Sequence, residues 1–135
     1  RRRYDTSSLR AVCARGSARA GDLAIRWMDE FGENLYSVYG STELPAATLA
    51  TPRDTRRAPG TAGKPTRGSI VRLFNEHGRP VLQGQTGRIF VGNTMLLEPH
   101  MSGDRKDHID GLMATGDLGR FDEAGRLFVR AATTR

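Results

Sequence analysis

Leu23, Trp27 and Phe31 recur every four residues, with Ala24 and Met28 beside them. That spacing lays one apolar stripe along a helix predicted over residues 20–31. Asp22 suits the positive N-terminal end of such a helix, and Gly32 supplies its stop. Residues 35–38 then read as a buried strand, and residues 9–14 as another short one ahead of the helix, closed by Arg15-Gly16-Ser17. Cys13, inside that first strand, is expected to be a small core residue. Strand, helix, strand commits the opening of the chain to an α/β layer.

The character then changes. Pro45, Pro52, Pro59 and Pro65, with Gly60, Gly63 and Gly68, leave no periodicity, so residues 45–68 read as a long surface connection. Residues 70–74, the turn Asn75-Glu76-His77-Gly78-Arg79 and a return at Val81-Leu82 predict a hairpin. A strand at 88–91 follows Gly84-Gln85-Thr86-Gly87. A second hairpin pairs residues 118–121 with 126–130 across Asp122-Glu123-Ala124-Gly125. The reading is α/β: residues 1–50 as the end of an αβ subdomain, residues 51–135 as a β-rich, barrel-like subdomain cut short.

Composition excludes several classes. No apolar run approaches the roughly 20 residues needed to cross a bilayer, and nothing at the start resembles a signal peptide. A single cysteine forbids an intrachain disulfide, so a cytoplasmic location is expected. The net charge of +6 is unevenly placed. Residues 1–20 carry six Arg and one Asp, residues 21–50 one Arg and five acids, and residues 51–80 seven bases and two acids. Such basic stretches support an alternative, a noncatalytic module binding nucleic acid or another chain. Against it, the Arg residues alternate with Ala, Pro and Gly rather than with aromatics.

The most informative string is Tyr39-Gly40-Ser41-Thr42-Glu43, just past the predicted strand. Ligands of α/β sheets collect at the carboxyl ends of strands. A Tyr ring can stack on an adenine face, and Gly40 lets backbone approach a ligand. The Thr42 hydroxyl can bond a phosphate oxygen, and the Glu43 carboxylate is a hard ligand suited to Mg²⁺. Alone, the string reads more readily as a polar turn with its Tyr packed on the neighbouring helix. A second string, Thr115-Gly116-Asp117, stands before the last hairpin. Asp117 has two acceptor oxygens, the number that holds the vicinal 2′- and 3′-hydroxyls of a ribose, although a lone Asp more often caps its own turn.

In this order and at this separation, the two strings resemble the adenylate-forming enzymes: acyl-CoA synthetases, nonribosomal-peptide adenylation domains and beetle luciferases. The chain looks most like the fatty-acyl-CoA synthetase branch. Residues 4–10 resemble the family segment leading to a Gly-Ser-Ala turn, here Gly16-Ser17-Ala18. Gly60-Thr61-Ala62-Gly63-Lys64-Pro65, residues 84–92 and residues 115–129 resemble later segments. The resemblance implies part of the large N-terminal domain, the end of an αβ layer followed by part of a small β-barrel. It also implies roles. Tyr39 would stack on adenine, with Gly40 and Ser41 completing the nucleotide-binding loop. Thr42 would contact the α-phosphate and Glu43 would hold Mg²⁺, the pair counted as catalytic. Gly16 and Ser17 would line the site near adenine and the acyl group, and Asp117 would take the ribose. The implied substrates are ATP, coenzyme A and a small carboxylate, expected to be a fatty acid.

Some family features have no counterpart. Nothing upstream of Tyr39 is the Gly/Ser/Thr-rich phosphate loop, and chain order rejects the 60–68 segment as its substitute. Pro65 stands where a Walker A sequence needs Ser or Thr. Neither Lys64 nor Lys106 has the context of the family's C-terminal catalytic Lys. Ala131-Ala132 replaces a usual Gly-Arg whose Arg touches ribose, and Gln85 replaces a frequent Glu. A partial enzyme unable to complete turnover is the expectation, with an apolar face of the 20–31 helix layer left for a complementary chain. Asp104, Asp107, His108 and Asp110, with His100 nearby, lack metal-site spacing and read as a solvated loop.

Overall fold

The computed structural model describes Ser8 and residues 10–14, 21–41, 44–94 and 108–131. The elements run β1 (Val12–Ala14), α1 (Gly21–Phe31), β2 (Leu35–Tyr39), β3 (Thr48–Ala50), α2 (Pro52–Arg57), β4 (Lys64–Pro65), β5 (Ser69–Phe74), β6 (Gly87–Asn93), β7 (His108–Ile109), β8 (Leu112–Phe121) and β9 (Leu127–Ala131). Two sheets form: a four-stranded one in the order β1-β2-β3-β4, and a five-stranded one in the order β5-β6-β8-β7 with β9 on β8. The α/β opening and the barrel-like continuation expected from the sequence are both present.

In the first sheet β1 runs parallel to β2, while β3 and β4 add antiparallel to it. Only part of the expected α1 stripe is fully buried. Ala24 and Met28 are buried against Leu35, whereas Leu23 is 52% exposed. The helix stops as its sequence demands. Gly32 takes φ +103 and bonds the Met28 carbonyl, and the Asn34 amide bridges Trp27 Nε1 and the Phe31 carbonyl. Cys13 is exposed rather than in the core, because strand alternation turns its neighbours Val12 and Ala14 towards α1.

The supposed connection at 45–68 holds β3, α2 and β4. Its short helix has its start written in Thr51-Pro52-Arg53-Asp54. Thr51 accepts from the Asp54 N–H, Asp54 accepts from the Thr51 N–H, and Pro52 occupies the first turn. Six residues are too few for periodicity to register, so capping was the readable signal. The change of sheet falls at residues 66–68, past the 50/51 division drawn from the sequence.

The second sheet is antiparallel throughout. The β8–β9 hairpin forms as expected, its turn held by Asp122 Oδ1 accepting from the Ala124 and Arg126 amides. The first hairpin is corrected. β5 pairs with β6, and the Val81-Leu82 return amounts to one bridge, Phe74 to Pro80, and one bond from the Val81 N–H to the Leu73 carbonyl. Pro80 has no N–H to extend a ladder, and Leu82 ends 72% exposed. Ile89, Val91, Val71, Leu73 and Leu127 from the inner face pack with Tyr39 at the end of β2 and Ala47 just before β3. Full burial of each such side chain contributes about 1.5–3 kcal/mol. Among the described residues no helix is long and apolar enough to cross a membrane.

Candidate functional site

Tyr39 ends β2, and Asp117 lies 78 positions away on β8, yet the Tyr39 hydroxyl donates to Asp117 Oδ2 at 2.7 Å. Each position follows from local chemistry. The loop after Tyr39 folds back tightly: the Ala47 N–H bonds the Tyr39 carbonyl, the Ser41 N–H bonds the Leu44 carbonyl, and the Leu44 N–H bonds Ser41 Oγ. A Cβ on Gly40 would lie 2.1 Å from the Leu44 carbonyl oxygen, so glycine is required there by the chain's own backbone rather than by a ligand. Ser41 likewise serves the turn.

On β8, Gly116 takes φ +90 beside a register shift between β6 and β8. The Thr115 hydroxyl donates to the Ile89 carbonyl at 3.2 Å and accepts from the Asp117 N–H at 3.1 Å. The irregularity thus sets Asp117 on the sheet's inner side, where Tyr39 stands. Thr115 was the residue whose part the sequence reading missed. Its signal was a β-branched hydroxyl two residues before an Asp across a glycine, a pattern that bonds its own backbone.

Tyr39 is 8% exposed, and its ring belongs to the core cluster between the sheets. Burial pushes its phenol well above the ordinary value; the Thr115 hydroxyl opposes this and the Asp117 carboxylate adds to it. The phenol is therefore a permanent donor at neutral pH, and Asp117 is the acceptor. The pair can offer a ligand carboxylate oxygens held in a fixed direction.

Gly16, Ser17, Thr42 and Glu43 lie outside the described residues, as does Ala132. So do His100, Asp104 and Asp107; among the described residues no group of three His, Cys, Asp or Glu could hold a metal ion. The 60–68 segment is not a phosphate cradle. Its amides are engaged internally: Thr61 N–H to the Ala58 carbonyl, Ala62 N–H to the Leu127 carbonyl, Gly63 N–H to Thr61 Oγ1. Gly63 (φ +87) presses so closely on Leu49 that a Cβ would lie 2.0 Å from its carbonyl oxygen. This segment is the joint between the sheets, reinforced by an Arg126–Asp54 ion pair at 3.2 Å. Burial raises the Asp54 carboxyl, but the Thr51 amide and Arg126 outweigh it and hold it below the ordinary range. Arg56 is similarly tied to Asp29 and Glu33. Arg56, in the second basic stretch, is thus engaged by the chain's own acids, which does not favour a nucleic-acid module.

Comparison with known proteins gives a consistent picture. A family model described as AMP-binding enzyme matches residues 1–98. An indoleacetate–CoA ligase of Aromatoleum aromaticum is 33% identical over 129 residues, covering 93% of this chain and 25% of the relative. A long-chain-fatty-acid–CoA ligase of Yersinia pestis is 32% identical over 126 residues, covering 91% and 22%. The solved structure of an amide bond synthetase from Marinactinospora thermotolerans superposes with a TM-score of 0.80 at 28% identity, covering 95% of this chain and 27% of that one. The chain thus spans about a quarter of the length of the curated relatives it matches.

Proposed function

The chain belongs to the AMP-binding enzyme family, and from that premise we propose that it forms the nucleotide-gripping part of an adenylate-forming carboxylate–CoA ligase. The reaction has two steps. A carboxylate oxygen attacks the α-phosphorus of ATP and pyrophosphate leaves; a coenzyme A thiol then attacks the acyl carbon and AMP leaves. The observation that carries the reading is the 2.7 Å bond joining the two sequence strings in one site.

In this reading Asp117 accepts the 2′- and 3′-hydroxyls of the ribose, and Tyr39 borders the adenine. Gly16, Ser17, Gly40 and Ser41 complete the nucleotide pocket, and Thr42 bonds the α-phosphate. Glu43 supplies a hard carboxylate for Mg²⁺, whose chemistry is to neutralise phosphate charge. A fatty acid is the proposed carboxylate, drawn from the resemblance to the fatty-acyl branch; the relatives include ligases named for long-chain fatty acids and for indoleacetate. A cytoplasmic setting and docking of a complementary chain complete the proposal.

Isothermal titration of the 135-residue chain tests it. ATP or a non-hydrolysable acyl-AMP analogue should bind, and Asp117→Ala should weaken binding about tenfold or more, the effect of losing charge-assisted hydrogen bonds. No binding of either ligand, with binding of random DNA that falls steeply with salt, would sink the reading. ATP–pyrophosphate exchange is expected to be silent with these residues alone.

A further inference from the structure

Asp117 must present its acceptor oxygens in one direction to hold two neighbouring hydroxyls at once. A carboxylate offers about four lone-pair positions, and a free Asp side chain spreads them over its rotamers. Here the freedom is removed at both ends. Thr115 Oγ1 accepts the Asp117 N–H and anchors itself on the Ile89 carbonyl, which fixes the backbone. The Tyr39 hydroxyl takes one position on Oδ2, which fixes the carboxylate. About three positions remain, enough for a vicinal diol. Tyr39 is itself immobile: it is 8% exposed, packed among Ala47, Val71, Leu73, Ile89, Val91 and Leu127, and its carbonyl is bonded by Ala47.

We propose that Tyr39 acts through its hydroxyl as a positioning residue, aiming Asp117 at the ribose diol so that the loop after β2 and the Thr115–Asp117 segment recognise a ribonucleotide as one unit. The inference rests on the nucleotide-binding reading above and deepens it. Burial suits the phenol to this work, since it keeps the donor protonated. A plain structural staple between the sheets would use the same bond, but it would have no reason to care whether a ligand carries ribose hydroxyls.

The test measures dissociation constants of ATP and 2′,3′-dideoxy-ATP by isothermal titration for the full chain and its Tyr39→Phe, Asp117→Asn and double variants. Wild type should prefer ATP. Tyr39→Phe should weaken ATP about fivefold to tenfold, the size of one hydrogen bond to a charged group, and leave the dideoxy ligand within about twofold. Asp117→Asn should lose the same preference, and the double variant should lose no more than the larger single loss. Equal weakening of both ligands by Tyr39→Phe, or independent additive losses, would reduce the bond to a staple and overturn the inference. If wild type binds both ligands equally, the diol is not recognised and the inference fails while nucleotide binding stands. Binding of neither ligand defeats the nucleotide reading and this inference with it. Should Tyr39→Phe lose its near-ultraviolet circular dichroism, Thr115→Val takes its place under the same criteria, with a smaller expected drop of about threefold in the ATP preference.

Discussion

The two sheets bury their apolar residues in different ways. In β5–β9 every strand is antiparallel to its neighbour, and two of the connections, β7–β8 and β8–β9, are tight turns. Ile89, Phe90 and Leu127 reach 0% exposure there. In β1–β4 the strands are two to five residues long, and β1 joins by a parallel pairing that needs α1 as its crossover. Beside α1 lies an open, mostly apolar groove of about 500 Å³, bordered by Val12, Ala14, Leu23, Trp27 and Leu35 together with Arg26 and Glu30. Antiparallel pairing lets neighbours in sequence satisfy each other, whereas a parallel layer depends on distant segments to cover its faces. The second sheet should therefore dominate stability and the first should tolerate change.

The contrast is sharpest at Phe90 and Leu23. Phe90→Ala should cost about 3–5 kcal/mol, by analogy with other buried aromatics. It removes the ring that meets Phe74 edge-on and lies under Arg88. Leu23→Ser on the exposed side of α1 should stay within about 0.5 kcal/mol. Urea denaturation followed by circular dichroism measures both; comparable losses would mean that the two sheets share their stability evenly.

Gly63→Ala attacks the joint between the sheets. With φ +87 and backbone 2.0 Å from the added Cβ, it should cost upwards of about 2 kcal/mol. If the sheets are independent, the same change should instead leave β5–β9 amide protection intact in hydrogen exchange. Thr51→Ala removes only the α2 cap and should cost about 1 kcal/mol, read in the same denaturation assay. A larger loss would show that α2 supports the joint as well as its own sheet.

Acid provides the gentlest separation. The Asp54 and Asp122 carboxyls are both held below their ordinary values; in each, burial pushes upward and is outweighed by hydrogen bonds, from Thr51 and Arg126 to Asp54 and from Arg126 and Ala124 to Asp122. A depressed folded-state value means that these groups contribute stability above the unfolded carboxylate value of about 4, and that the contribution fades as pH falls through the lower folded value. Thermal melts from pH 6 downward should show it, and Asp54→Asn should flatten the slope. An unchanged slope would place the acid-sensitive contact elsewhere.

Legibility followed the same division. The α1 helix, β2 and the β8–β9 hairpin were readable because each rests on local periodicity or turn chemistry. α2, β3 and β4 were not: runs of two to six residues carry no period, and the bend at Ala62 and Gly63 between α2 and β4 is fixed by Leu127, more than sixty positions away. Which part of the α1 stripe is fully buried was not readable for a related reason. Leu23, Trp27 and Phe31 make the more hydrophobic stripe, but Ala24 and Met28 are what fit against β2 at close range.

The residue order alone determined the chemistry on offer: a tyrosine closing a strand, a glycine after it, an aspartate after Thr-Gly, and the family these strings belong to. Tertiary structure decided that the tyrosine's ring would go to the core while its hydroxyl went to the aspartate. That outcome depends on how two sheets stack, and stacking is set by the summed packing of residues remote in sequence, which no local pattern encodes.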